Sequence, residues 1–228
     1  MKKILAAALG AALLAPLPAH AGSVDGKWQF KLLGTAVLAD GKIDEVKHID
    51  SSLAALAPFA APQAKASNNS FTPTVAIEYF LTPNVSVETI AGITSHHVNG
   101  RGSLAGTNLV NHVGIIPATL TAKYHLPLGA IKPYVGVGPS LYIVTSSRPG
   151  DTAAALGVTR TKLSSNVGFA LQAGVDVPLG KSGYGLTLDA KKYFVPTTAH
   201  FYAGSAEVLT TKHKLDPWVL SAGLSYRF

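Results

Sequence analysis

The chain has 228 residues, no cysteine, 22 glycines and 14 prolines; 47% of residues are hydrophobic and only 14% charged. That composition excludes a disulfide scaffold and thiolate zinc sites, and it disfavours both disorder and a helical bundle. The net charge of +7 comes from 19 dispersed Lys and Arg without a basic stripe, so no nucleic-acid partner is expected.

The first segment reads as an export signal. Lys2 and Lys3 precede an apolar run from Ile4 to Ala15, and Ala19-His20-Ala21 supplies a small-x-small cleavage site. The expected division is therefore a cleaved signal peptide over residues 1–21 and a single barrel domain over 22–228. The apolar run is shorter than the ~20 residues a spanning helix needs. No later stretch supplies a helical span either.

From Trp28 onward the pattern has period two. Eight strands are expected: Trp28–Leu38, Phe71–Tyr79, Val85–Ile93, Ala118–Tyr124, Val135–Ile143, Val167–Val177, Leu186–Phe194 and Trp218–Phe228. Each alternates an apolar face with a small or polar one. In the last strand Trp218, Leu220, Ala222, Leu224, Tyr226 and Phe228 oppose Val219, Ser221, Gly223, Ser225 and Arg227. The links at 81–84, 126–132 and 178–184 are short, whereas 39–70, 94–117, 144–164 and 196–214 are long. Helical turns are expected in two long links: Leu53–Ala57 after Ser51-Ser52, ended by Pro58, and Thr152–Leu156 capped by Asp151 and ended by Gly157.

An even number of antiparallel strands, with short links on one rim and long loops on the other, describes an all-β, eight-stranded antiparallel transmembrane β-barrel. Alternation alone does not say which face is outside. The polar faces, rich in Gly, Ser and Thr and poor in charge, suit a narrow lumen better than a solvated surface. Aromatics near strand ends (Trp28, Tyr79, Phe80, Tyr124, Phe194, Trp218 and Phe228) fit interfacial girdles.

With the apolar face outward, the lumen receives Lys31, Glu78, Glu88, Lys123, Asp176, Asp189, Lys191 and Arg227. Four acids against four bases in a desolvated space predict cross-lumen salt bridges, which would form a polar plug on the short-turn side. Towards the long loops the inward residues Leu33, Ile90, Tyr142, Val195, Pro217 and Val219 predict an apolar funnel suited to a small ligand. Pro73, Pro139 and Pro217 cannot donate a ladder hydrogen bond, and any one of them could mark a weak wall seam. No cofactor, metal site or catalytic residue is expected. His96, His97, His112, His200 and His213 read as solvated loop histidines, and Ser165-Asn166 has no histidine placed for it by sequence.

Several segments carry a family resemblance. Leu215-Asp216-Pro217-Trp218-Val219, the terminal Ser225-Tyr226-Arg227-Phe228, Lys132-Pro133-Tyr134-Val135-Gly136-Val137-Gly138 and Pro117-Ala118-Thr119-Leu120 resemble the OmpW/AlkL family of small outer-membrane barrels. The resemblance extends over essentially the whole mature chain and is weakest in the Ala-rich first loop with Pro58 and Pro62. It implies the outer membrane of a Gram-negative bacterium, assembly by the barrel-insertion machinery reading Phe228, and lipid and lipopolysaccharide as surroundings. It also implies passive passage of small hydrophobic solutes with a sideways exit into the bilayer. The alternative from another class is a structural or adhesive barrel whose loops bind lipopolysaccharide, host surfaces or phage.

Overall fold

The structure, a computed structural model, describes residues 22–38, 40–51, 65–66, 70–99, 106 and 108–228. The expected signal peptide and the expected turn at 53–57 lie outside these residues. Thirteen strands and one short helix are described. They are β1 (Trp28–Leu38), β2 (Gly41–Ile49), β3 (Lys65–Ala66), β4 (Ser70–Phe80), β5 (Val85–Ala91), β6 (Thr94–Asn99), β7 (Asn108–His125), β8 (Lys132–Pro149), α1 (Asp151–Ala155), β9 (Arg160–Leu163), β10 (Asn166–Pro178), β11 (Tyr184–Ala203), β12 (Ala206–Leu215) and β13 (Trp218–Arg227).

Eight of these strands close on themselves. The order β1-β4-β5-β7-β8-β10-β11-β13 returns to β1, and every pair is antiparallel. Closure leaves no free edge, the condition a sheet must meet in hydrocarbon. The apolar faces point outward: Phe71 is 77% exposed, Val167 68% and Leu224 60%. β1 spans about 25 Å along the membrane normal, from ~3.3 Å per residue and a tilt near 40°. That matches the ~25 Å apolar band of outer-membrane barrels.

Aromatic rings mark both ends of the band. At the short-turn end Trp28 packs on Tyr79 (centroids 4.7 Å apart), with Tyr184 beside Tyr226. At the other end Phe169 stacks on Phe194, and Trp218 lies beneath the Lys192 ammonium. Phe80 departs from the girdle expectation. It is 3% exposed and faces inward, because it shares the pleat face of Glu78.

The long links are more regular than expected, since most of their described residues continue the wall. β2 pairs with β12, β12 with β11, β11 with β9, and β6 with β7. The barrel is thus built of eight staves, five of them broken where they leave the apolar band: β1/β2, β3/β4, β5/β6, β9/β10 and β12/β13. Pairing the link backbones satisfies groups that irregular loops would leave to water. The extension encloses an apolar cluster that includes Val110, Val113, Phe201, Val208 and Leu209, with Ala153 of α1 packed into it. α1 corrects the capping expectation: Gly150 is the N-cap, no side chain caps the helix, and Asp151 is instead a first-turn acid. Gly157, with φ of +89°, ends it as expected.

Candidate functional site

The lower lumen holds a connected ion network. Lys31 Nζ lies 2.7 Å from Glu78, 3.0 Å from Glu88 and 3.5 Å from Asp176. Lys123 Nζ contacts Glu78 and Glu88, both at 2.9 Å. Lys191 bridges Glu88 at 3.2 Å and Asp189 at 2.7 Å. These seven side chains come from β1, β4, β5, β7, β10 and β11, so all the bridges but Lys191–Asp189 join different strands. All seven are buried. The geometry is what desolvation demands, because a carboxylate or ammonium here is tolerable only when its lone pairs or protons are met.

Arg227 is the exception among the eight expected charges. Its guanidinium lies 3.5 Å from the Phe80 ring centre, and its Nε donates to Gly26 O at 2.6 Å. Among the described residues it makes no salt bridge, which corrects the expectation that it pairs across the lumen.

Several members of the network escaped the sequence reading. Gln172 Nε2 donates to Glu88 (2.9 Å) and Asp189 (2.6 Å), Tyr134 OH donates to Asp189 at 2.7 Å, and Thr187 donates to Asp176 at 2.6 Å. His125 and Ser86 join through Glu78. His125 Nε2 is 2.9 Å from both Ser86 Oγ and Glu78 Oε1, and Ser86 also donates to that carboxylate. This is not a hydrolytic triad, since acid and hydroxyl meet the same ring nitrogen, whereas a triad uses opposite ones.

Above the network lies an apolar cavity of about 90 Å³. Of the six residues expected to form a funnel, Ile90, Tyr142, Pro217 and Val219 line it. Leu33 instead packs below it with Ala76 and Ile90, and Val195 belongs to the apolar cluster of the outer half. Val113, Ile115 and Pro117 of β7 and Tyr193 of β11 complete much of the lining and were missed. Tyr193 closes the floor: its hydroxyl accepts from Thr119 at 3.3 Å, and its ring meets Tyr142 edge-on at 5.5 Å.

The three prolines singled out by sequence fall in different settings. Pro217 lies in the break between β12 and β13, not at a strand position, and its carbonyl accepts from Tyr193 N. Pro139 interrupts the β7–β8 ladder, where Leu120 and Thr121 face Gly138 and Pro139 without paired register. The two strands are nonetheless tight there, since a Cβ on Gly138 would meet Leu120 O at 1.8 Å.

Pro73 marks a longer interruption. The β4–β5 ladder ends at Val75↔Ala91, and β4 makes no ladder with β6. On the other side β7 pairs with β5 up to Ile90↔Thr119 and resumes with β6 at Thr94↔Ile115. Gly92 and Ile93 are thus unladdered on both sides and Ala91 on the β7 side, with Pro73 to one side and Pro117 to the other. Thr72 Oγ1 donating to Ile93 O at 2.9 Å spans the gap. Thr74, Gly92, Thr94 and Pro117 all line the cavity, so this unladdered stretch of wall lies directly against it.

The histidines divide. The side chains of His96, His97 and His112 lie outside the described ones. His200 pairs with Glu207 at 2.9 Å. His213 is not solvated as expected: desolvation depresses it to about 4, and its Nε2 meets Thr211 Oγ1 at 2.7 Å. Ser165 accepts a hydrogen bond from Val144 N and has no catalytic partner among its hydrogen bonds. Among the described residues no group of three His, Asp or Glu could hold a metal ion.

A closed eight-stave wall, apolar outside, aromatic at both rims and charged within, defines a transmembrane β-barrel of the outer-membrane type. Known proteins make the assignment more specific. Residues 24–228 match the OmpW family, and the chain belongs to it. An uncharacterised outer-membrane protein, y4mB of Sinorhizobium fredii, is 31% identical over 92% of this chain and 85% of its own length. Among solved structures, OprG of Pseudomonas aeruginosa superposes with a TM-score of 0.73 at 24% identity, covering 91% of this chain and 98% of that one. The AlkL structure in lipid bilayers gives 0.68 at 25% identity, covering 94% and 96%; AlkL of Ectopseudomonas oleovorans is 29% identical over 74% of this chain and 71% of its own length. The protein is accordingly an outer-membrane barrel, and its short-turn rim is the periplasmic one.

Proposed function

We propose that the barrel gives small hydrophobic molecules passive passage, admitting them from outside into the apolar cavity and releasing them sideways into the bilayer between β4 and β6. The observation that carries this reading is the position of the cavity. Beneath it lies a sealed ion network, which an apolar solute cannot enter without stripping paired charges of their partners. Beside it lies a stretch of wall where Gly92 has no ladder partner on either side. The cavity is small: an apolar void of about 150 Å³ accepts benzene, so this one takes a short alkyl segment, or a single ring after small side-chain shifts. The reading needs no energy source and no cofactor. It includes lipopolysaccharide around the outer half and recognition of Phe228 by the insertion machinery.

The test is a removable clamp across the seam. An added Cβ on Gly92 would lie 3.4 Å from Thr74 Cβ, close to the separation a disulfide spans. The chain has no cysteine of its own, so Thr74→Cys with Gly92→Cys creates a unique bridge. Uptake of a radiolabelled short alkane or naphthalene by cells carrying the oxidised variant should fall to the level of cells lacking the protein. Reduction should restore it. Undiminished uptake through a fully bridged, inserted barrel would eliminate the seam as the exit. No uptake by the unmodified protein, across several apolar solutes, would leave the structural or adhesive reading.

A further inference from the structure

The cavity is apolar but not wholly so, and its polar groups are unequally satisfied. Thr35 Oγ1 is 2.6 Å from Thr74 Oγ1 and 2.8 Å from Ser221 Oγ, so these three hydroxyls serve one another. Thr94 donates to Ile115 O at 3.3 Å, and the Tyr193 hydroxyl accepts from Thr119. Tyr142 is different. It lines the cavity and is only 7% exposed, yet its hydroxyl makes no hydrogen bond among the described residues. Its ring packs edge-on against Tyr193, which limits its freedom to seek a partner elsewhere.

A buried hydroxyl left unbonded loses what water gave it, and a partner that enters the cavity restores the loss. Water fits poorly. An ordered water needs about 2–4 polar partners, and much of the lining is hydrocarbon from Ile90, Val113, Ile115 and Val219. A neutral carbonyl or ether oxygen needs only the one donor, and its alkyl arms suit the rest of the lining. Charge narrows the class further. The Asp216 carboxylate acts on the Tyr142 phenol electrostatically without hydrogen-bonding to it, and the exposed Asp40 carboxylate stands at the cavity edge. A solute carboxylate would therefore meet like charge.

We infer that the cavity is built for a small neutral solute with one hydrogen-bond acceptor, such as a ketone, ester or ether. Its oxygen accepts from the Tyr142 hydroxyl while its alkyl part fills the apolar remainder. This rests on the passage reading for the cavity's purpose, but the binding is independent of where the solute leaves.

The test uses the full barrel reconstituted in lipid vesicles, with 2-pentanone and hexane as probes of equal heavy-atom count. A hydrogen bond to the ketone lowers its carbonyl stretching frequency, so infrared spectra report the contact itself. The wild type should give a shifted carbonyl band beyond that of protein-free vesicles, and Tyr142→Phe should abolish it. The same variant should weaken 2-pentanone binding about fivefold, the worth of one neutral hydrogen bond, and leave hexane binding unchanged. A shifted band that survives in Tyr142→Phe would assign the contact to another donor and overturn the inference. So would equal weakening of both solutes, which marks a packing effect, or no shifted band in the wild type. Cellular uptake separates this from the passage reading. Hexane uptake without the shifted band sinks the inference alone, whereas the band without uptake sinks passage and leaves the site.

Discussion

Replacing Lys31 with methionine tests the lumenal network most directly. Methionine keeps the unbranched apolar stem and removes only the ammonium. That group touches three carboxylates, at 2.7, 3.0 and 3.5 Å, and is 1% exposed. At an effective dielectric constant near 20, a contact of that length is worth roughly 6 kcal/mol before desolvation. Most of this offsets the burial of the charges, so the pair itself contributes little. Removing one member, by contrast, strands the others. Lys31→Met leaves Lys123 and Lys191 against four carboxylates, and the expected loss is about 3–5 kcal/mol, the usual consequence of breaking a buried pair. A solvated pair would lose only ~0.2–1 kcal/mol. The assay is urea unfolding of the barrel in lipid vesicles, followed by emission from Trp28 and Trp218, the only two tryptophans. Lys31→Met combined with Glu88→Gln should cost less than the sum of the separate changes, since each removes part of what the other leaves unpaired. A single-variant loss below ~1 kcal/mol would mean that water reaches the carboxylates and that the lumen is not sealed.

Other outcomes follow from the same geometry. Tyr142→Lys with Val219→Lys puts two cations against the apolar cavity, and a correctly inserted variant should abolish solute-dependent uptake; full uptake would move the path elsewhere. His213, on the extracellular extension, has a folded value of about 4 against an ordinary 6.5. Between those values the unfolded chain binds the extra proton, so stability falls as pH drops from about 6.5 to 4 and levels off below. The effect is on the order of 3 kcal/mol; hydrogen exchange of β12 amides should show it, and His213→Asn should flatten the slope. The mature protein recovered from outer membranes should begin at Gly22 by intact mass, and a chain starting at Met1 would refute the cleavage site.

The barrel was legible because a pleated wall between lipid and a narrow lumen forces strict alternation, so the inward charges could be read by counting residues. His125 was missed because it sits just beyond the strand that alternation delimited, although it keeps the inward parity of Lys123. Phe80 was misread against that same parity. The extension above the membrane was unreadable for a different reason. Ladders of β2, β6 and β12 shift register, at Thr210/Thr211 and Lys212/His213 among other places. Each such irregularity slips the period by a residue and makes a strand look like a loop. The cavity was half legible: Ile90, Tyr142 and Val219 lie on strands that alternation delimits, whereas Val113 and Ile115 lie on a stretch read as loop, and Tyr193 was missed although its strand was expected. No single-residue pattern marks the seam, because it arises where Pro73, Gly92 and Pro117 meet from three staves.

The network and the cavity depend on one another. An eight-stranded lumen is too narrow for a water column beside its side chains, so inward charges must satisfy each other or be absent. Satisfying them takes contributions from six strands, and that cross-linking makes the lower barrel rigid. Tyr193 stands at the boundary, its hydroxyl on Thr119 below and its ring against Tyr142 in the cavity above. Above that level the inward side chains of the cavity are mostly apolar, so little there has to be paired and space can remain open. The wall relaxes at the same height: five of the eight staves break, Pro73, Pro117 and Pro217 fall in or beside the breaks, and the ladder beside Gly92 lapses. On the passage reading, a solute that enters an apolar space over a rigid ionic floor has only the wall as a way out. At Gly92 the cavity touches a part of that wall that has no ladder on either side.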